Sequence, residues 1–205
     1  MDEAVSIFID KMGSPTEYTP VPSATIEYYK KILPERLLNY WQDYGWSAHA
    51  EGIFWMVNPA EYDGVVRSWL EDTEFEKKDN YYVIARTAFG GLYLWGEKTG
   101  HALKIESLLS RYCAQDLGTT EVNLDRESQI FFLAPSVEGS DFFSLFRRAR
   151  RKLGLLKSDE MYGFVPALML GGSEELENLE KVKIIEHLIF LSQLSPLKPF
   201  TLADI

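Results

Sequence analysis

The chain has 205 residues, of which 46% are hydrophobic, 25% charged and 14% aromatic, and 31 acidic against 21 basic side chains leave a net charge of -10. That balance excludes an intrinsically disordered chain, and with 15 acidic against 7 basic residues in positions 1–80 it does not suit direct grip on a phosphate backbone. Cys113 is the single cysteine, so no internal disulfide can form, and no apolar run approaches the roughly eighteen residues of a membrane-spanning helix.

The opening stretch, MDEAVSIFIDKMG, is acidic and its apolar run is too short for a secretory leader, so a cytoplasmic location is expected. Pro15, Pro20 and Pro22 then mark residues 13–22 as an irregular arm. Two helical patterns follow. Ile26, Tyr29 and Ile32 share a stripe in ATIEYYKKI, and in LPERLLNYWQDYGW Pro34 suits the first turn, Leu37, Leu38 and Trp41 form an apolar face, and Gly45 suits the end. Ile53 to Val57 read as a short buried strand. Asn58, Pro59 and Glu61 then form a variant of the capping box ahead of a helix carrying Val65, Val66, Trp69 and Leu70. The charged link EDTEFEKKDN ends that helix.

Residues 81–89, YYVIARTAF, are rich in β-branched and aromatic side chains and read as a strand, with LYLW and HALKIES as two more. The glycines of AFGGLYLWGEKTG, which at first sight suggest a phosphate loop, fall where the turns between these strands need them. No GxGxxG or GxxxxGK[ST] spacing is present and no helix follows to aim its N-terminus at a phosphate. An antiparallel meander is the expectation.

Residues 114–128 are polar and connect the two halves, while RESQIFFLAP fits either a short helix or an extended segment. In SDFFSLFRRARRKLG, Phe142, Phe146, Ala149 and Leu153 recur at helical spacing, Ser140 is placed to cap and Gly154 to terminate. MYGFVPALML reads as a strand broken at Pro166. GGSEELENLEK leads into a last helix through KVKIIEHLIFLSQL, with Val182, Ile185, Leu188, Ile189 and Leu191 turned inward. The whole reads as α+β: an antiparallel meander flanked by helices, with no flexible linker and hence one compact unit.

The search for chemistry is short. His49, His101 and His187 stand apart, with His49 expected in a loop, and none sits at metal-ligand spacing. There is no GxSxG, and lone Cys113 reads as a small buried hydrophobe. Arg147, Arg148, Arg150, Arg151 and Lys152 gather at the end of one expected helix, where positive charge complements the dipole. Glu174, Glu175 and Glu177 would repel a phosphate from the glycine pair before them. No cofactor, no metal and no catalytic residue is expected.

These segments also carry a family resemblance. LPERLLNYWQDYGW, GIFWMVNPAEY, VVRSWLEDT and YYVIARTAFGGLYLWGEKTG resemble the GAD-like domain, and residues 152–196 resemble the C-terminal domain of Tdi-type immunity proteins, which implies a division into 1–112 and 113–205. The resemblance covers most of residues 30–196 and is weakest over 1–25 and 107–135. It implies a cytoplasmic, non-enzymatic immunity protein that binds and neutralises a type VI secretion effector, a DNase in characterised relatives. It supplies no catalytic motif. Such a partner has a basic cleft, and the acidic run Glu71, Asp72, Glu74, Glu76 and Asp79 is the sequence's candidate for meeting it, although Lys77 and Lys78 dilute its charge. A small-ligand sensor, or another protein-binding module without a toxin partner, is the rival expectation.

Overall fold

A computed structural model describes residues 2–114 and 122–200. The chain opens with helix α1 (Glu3–Met12), whose N-terminus is capped by the Asp2 carboxylate accepting from the backbone N–H groups of Ala4 and Val5 at 3.0 and 3.4 Å. Val5, Phe8 and Met12 are its buried face. The proline-marked arm, expected to be irregular, contains a three-residue strand, β1 (Glu17–Thr19). Pro15 and Pro20 bracket it and keep it short.

Helices α2 (Ser23–Tyr29) and α3 (Glu35–Tyr44) follow as expected, with Ile26, Tyr29, Leu37, Leu38 and Trp41 buried. Gly45 ends α3 at φ 60°, and a Cβ there would collide with the Thr19 carbonyl. Strands β2 (Trp46–His49) and β3 (Phe54–Met56) lead to a 3-10 turn at Pro59–Tyr62, capped by Asn58, and to helix α4 (Asp63–Leu70). The meander is β4 (Tyr81–Thr87), β5 (Gly91–Gly96) and β6 (Gly100–Glu106), followed by β7 (Arg111–Ala114).

In the second half are α5 (Leu124–Leu133), α6 (Val137–Ser140), α7 (Phe146–Leu153), β8 (Glu160–Phe164), β9 (Leu179–Lys183), α8 (Ile184–Ser192) and β10 (Lys198–Pro199). The main sheet has eight strands in the order β1-β2-β3-β4-β5-β6-β7-β10, antiparallel throughout except for the last pair, and β8 and β9 form a separate hairpin-like pair. Its central strands are covered on both faces, which is why β4 and β5 are almost continuously apolar rather than alternating. On one face Phe8, Tyr40, Phe54, Tyr93, Phe131 and Phe132 form edge-on and tilted ring contacts between 5.0 and 6.3 Å, joining α1, α3 and α5 to the sheet. The other face carries Trp55 and Arg86.

One continuous apolar core runs from Ala4 to Leu191, and it includes residues on both sides of position 112. Position 112 itself lies inside β7, whose neighbour in the sheet is β10 from the end of the described chain.

Four local expectations are corrected by tertiary context. The helix over 140–154 begins only at Phe146, because Phe143 and Ser144 adopt φ of 46° and 60°; Ser140 instead ends α6, and Asp141 accepts from the Phe146 N–H at 2.8 Å. Val182 belongs to β9, paired with Met161, and α8 starts at Ile184; the pairing with β8 outweighs the helical spacing. The glutamates after Gly172 lead into a short 3-10 turn at Leu176–Asn178, not a helix. Cys113 is exposed near the sheet edge. The segment RESQIFFLAP, open from sequence alone, lies largely in α5, where Phe131 and Phe132 are buried.

Candidate partner-binding groove

The acidic run lies beside a groove of about 380 Å³ between α2, α4 and β4. Its walls are Tyr28 from α2, Asp63, Val66, Arg67 and Leu70 from α4, Glu71, Glu76, Asp79 and Asn80 from the following loop, and Tyr81 and Tyr82 from β4. The loop is held by its own chemistry. Phe75 is buried against Tyr112 at 4.9 Å and Tyr81 at 6.3 Å, and the Thr73 hydroxyl donates to the Leu70 carbonyl at 2.7 Å. Asp72 takes a positive φ of 59°, and its N–H donates to Glu76 Oε2 at 3.1 Å. One apolar anchor therefore fixes a loop on which Glu71, Asp72, Glu74, Glu76, Lys77 and Lys78 are exposed.

The five candidate carboxylates separate into different roles. Glu71 and Glu76 are exposed and line the groove. Asp72 is exposed on the adjacent bend, and Glu74 turns to the far side, where the Tyr112 hydroxyl reaches it. Asp79 also borders the groove, in a different role. It is buried, and its Oδ2 accepts from the Lys98 N–H at 2.9 Å, the Thr99 N–H at 2.9 Å and the Thr99 hydroxyl at 2.8 Å. Its carboxylate is thus spent on the β5–β6 turn. A Cβ on Gly96 would run into this carboxylate and the Thr99 hydroxyl, which explains the glycine there. Gly100, across the same turn, and Gly90, in the β4–β5 turn, are needed for conformation, with φ of 62° and 75°.

Asp63, which the sequence did not single out, completes the groove's negative side. Its only local signal was position, one turn after the Asn58 cap. Tyr28 is the main exposed aromatic at 66% exposure, standing edge-on to buried Tyr29 at 4.9 Å. Burial, with the Asp63 carboxylate next, pushes the Tyr29 hydroxyl up to about 12. The Tyr82 hydroxyl is raised in the same way, by burial first and then by Glu97, to which it donates at 2.7 Å. Both phenols stay neutral beside carboxylates, and that of Tyr82 is a donor. The groove therefore joins apolar ring surface to negative potential, with Arg67 as the cation in its wall.

The histidines offer no competing centre. His49 is buried at the end of β2, not in a loop; its Nδ1 donates to the Gly13 carbonyl at 2.7 Å, which leaves Nε2 to accept from the Tyr40 hydroxyl at 2.5 Å. His101 and His187 lie apart from it on β6 and α8. Among the described residues no group of three His, Cys, Asp or Glu could hold a metal ion, and no helix is long and apolar enough to cross a membrane.

A family model for the GAD-like domain matches residues 3–109. A second, described as "T6SS immunity protein Tdi1, C-terminal", matches residues 126–195. Among solved structures, the crystal structure of Atu4351 from Agrobacterium tumefaciens superposes with a TM-score of 0.80 at 23% identity, covering 100% of this chain and 96% of that one. At such identity the likeness establishes the fold. No curated protein matches.

Proposed function

The chain belongs to the GAD-like domain family and continues into a type VI secretion immunity region, and from that premise we propose that it is a non-enzymatic immunity protein which binds and neutralises a cognate toxin. The finer reading is that the toxin is a nuclease met in the cytoplasm and that the groove between α2, α4 and β4 makes the contact. The observation that carries this reading is the groove's composition. Asp63, Glu71 and Glu76 supply negative charge while Tyr28 supplies an exposed anchor. A cleft built to hold a phosphate backbone is basic, so carboxylates steer and orient the encounter, and a rigid tyrosine gives affinity at low entropic cost.

The test has two stages. The tagged chain is used to capture its partner from its own cells through a salt wash, and the captured protein is assayed for DNA cleavage with and without added chain. Loss of cleavage on stoichiometric addition is the expected result; capture of a partner whose activity is untouched overturns the immunity reading. Association is then measured for Glu71→Gln/Glu76→Gln and for Tyr28→Ala. The carboxamide pair should slow association about tenfold at low salt and flatten its salt dependence, and Tyr28→Ala should speed dissociation about tenfold. Inhibition that survives all three changes unaltered would leave the immunity role standing and remove the groove from it.

A further inference from the structure

The basic cluster on α7 has a different setting from the one its sequence suggests. Had the helix begun near Ser140, all five cations would sit at its C-terminal end and complement the dipole. The helix in fact begins at Phe146, so only Arg150, Arg151 and Lys152 occupy the last turn, while Arg147 and Arg148 stand in the first. Cations in a first turn face the positive end of the macrodipole. Helix electrostatics therefore opposes two of the four arginines.

Spacing adds a second cost. Arg147, Arg150 and Arg151 lie at i, i+3 and i+4, hence on one face, where like charges repel. They converge with Glu51 on a cavity of about 400 Å³. Arg150 pairs with Glu51, whereas Arg147, Arg148 and Arg151 form no ion pair among the described residues. Lys152 is occupied elsewhere, donating to the Leu176 and Glu177 carbonyls at 2.9 and 3.1 Å. Asp141, whose carboxylate accepts from the Phe146 N–H, lies within electrostatic reach of Arg147 and offsets part of its charge without forming an ion pair. A chain of net charge -10 thus keeps a concave, under-neutralised arginine face.

Glu51 shows what the face accepts. It is carried on three consecutive residues at positive φ, Ala50 at 44°, Glu51 at 62° and Gly52 at 93°, a backbone that non-glycine residues adopt only under tertiary constraint. The outcome is a carboxylate set against one guanidinium of three. The cavity's own occupant is therefore a carboxylate, and the remaining forks are free for more of them.

We propose that the α7 face, Arg147, Arg150 and Arg151, is a second docking surface, for an acidic protein segment presenting two or more carboxylates, with Glu51 as the internal group that such a segment displaces. Nucleic acid fits less well, because the regular run of phosphates would find only a single helix face without a continuing basic track. This surface stands independently of the groove between α2, α4 and β4.

The test is fluorescence anisotropy with a labelled hexaglutamate peptide at low salt, with a 20-base-pair DNA duplex measured in parallel. Arg147→Gln/Arg151→Gln should weaken peptide binding by about tenfold or more, and Glu51→Gln should tighten it by removing the competitor. Thermal melts confirm that each variant is folded, and Glu51→Gln keeps the test meaningful should the arginine variant melt early. Absence of peptide binding by both the parent chain and Glu51→Gln overturns the proposal, as does binding indifferent to the arginines. Tighter binding of the duplex through the same arginines, or self-association of the chain that those substitutions abolish, overturns it in favour of nucleic acid or a second copy.

Discussion

Asp79→Ala separates structure from recognition in the acidic run. In the folded protein its Oδ2 accepts from the Lys98 N–H, the Thr99 N–H and the Thr99 hydroxyl at 2.8 to 2.9 Å, while Oδ1 accepts from the Asn80 N–H at 2.8 Å. Lys98 and Asn80 are exposed, so water replaces the carboxylate for their N–H groups; Thr99 is buried, so its two donors lose their partner outright. At about 1–3 kcal/mol for each buried group left unsatisfied, the substitution should cost about 3–4 kcal/mol. For a chain of this size that corresponds to a melting point about 6–16 °C lower. Gly96→Ala should destabilise by a similar route, since its Cβ would press on the same carboxylate and on the Thr99 hydroxyl. With Asp79 already removed that clash is partly relieved, so the double variant should cost about 1 kcal/mol less than the sum of the singles. Thermal and urea unfolding of the four proteins close the cycle. A melting point for Asp79→Ala within 2 °C of the parent (about 1 kcal/mol or less), or strict additivity, would refute the reasoning and return Asp79 to the exposed acidic face.

Two further outcomes follow from buried charge. Burial lowers the pKa of His49, His101 and His187, that of His101 to about 4 with Lys104 contributing. A base with a depressed folded-state value adds stability that is complete above its unfolded value near 6.5 and is lost as pH falls towards the folded value. Urea unfolding should therefore weaken between about pH 6.5 and 4, with His101 alone contributing about 2 kcal/mol at pH 5, and His101→Gln should flatten that slope; an unchanged slope excludes His101 as its source. Arg86 is fully buried, 4.5 Å over the Trp55 ring, donating to the Ser158 carbonyl at 2.9 Å and reaching the Tyr62 hydroxyl. Arg86→Ala should cost about 3–5 kcal/mol, and Arg86→Met less than half of that because it removes the charge while filling the space; equal losses in urea unfolding would show that the charge itself is required.

Local signals in the sequence were strong wherever a residue's role is set by its neighbours in the chain. The Asn58-Pro59 start, Gly45 after α3 and the β-branched and aromatic run of β4 depend on caps, turns and strand propensity, and each was legible before any tertiary contact was known. Long matched segments also carried the family. What the tertiary structure decided depends on partners far along the chain. Val182 reads as helical until Met161 pairs with it, the helix expected from Ser140 gives way to left-handed backbone at Phe143 and Ser144, and Asp79 is one acid among five until Thr99 claims it. The groove's composition was equally hidden, since Tyr28, Asp63 and Tyr82 come from three elements brought together only by folding. Spacing along a chain fixes which side chains share a face; which faces meet is settled by burial and hydrogen-bond satisfaction across the whole molecule.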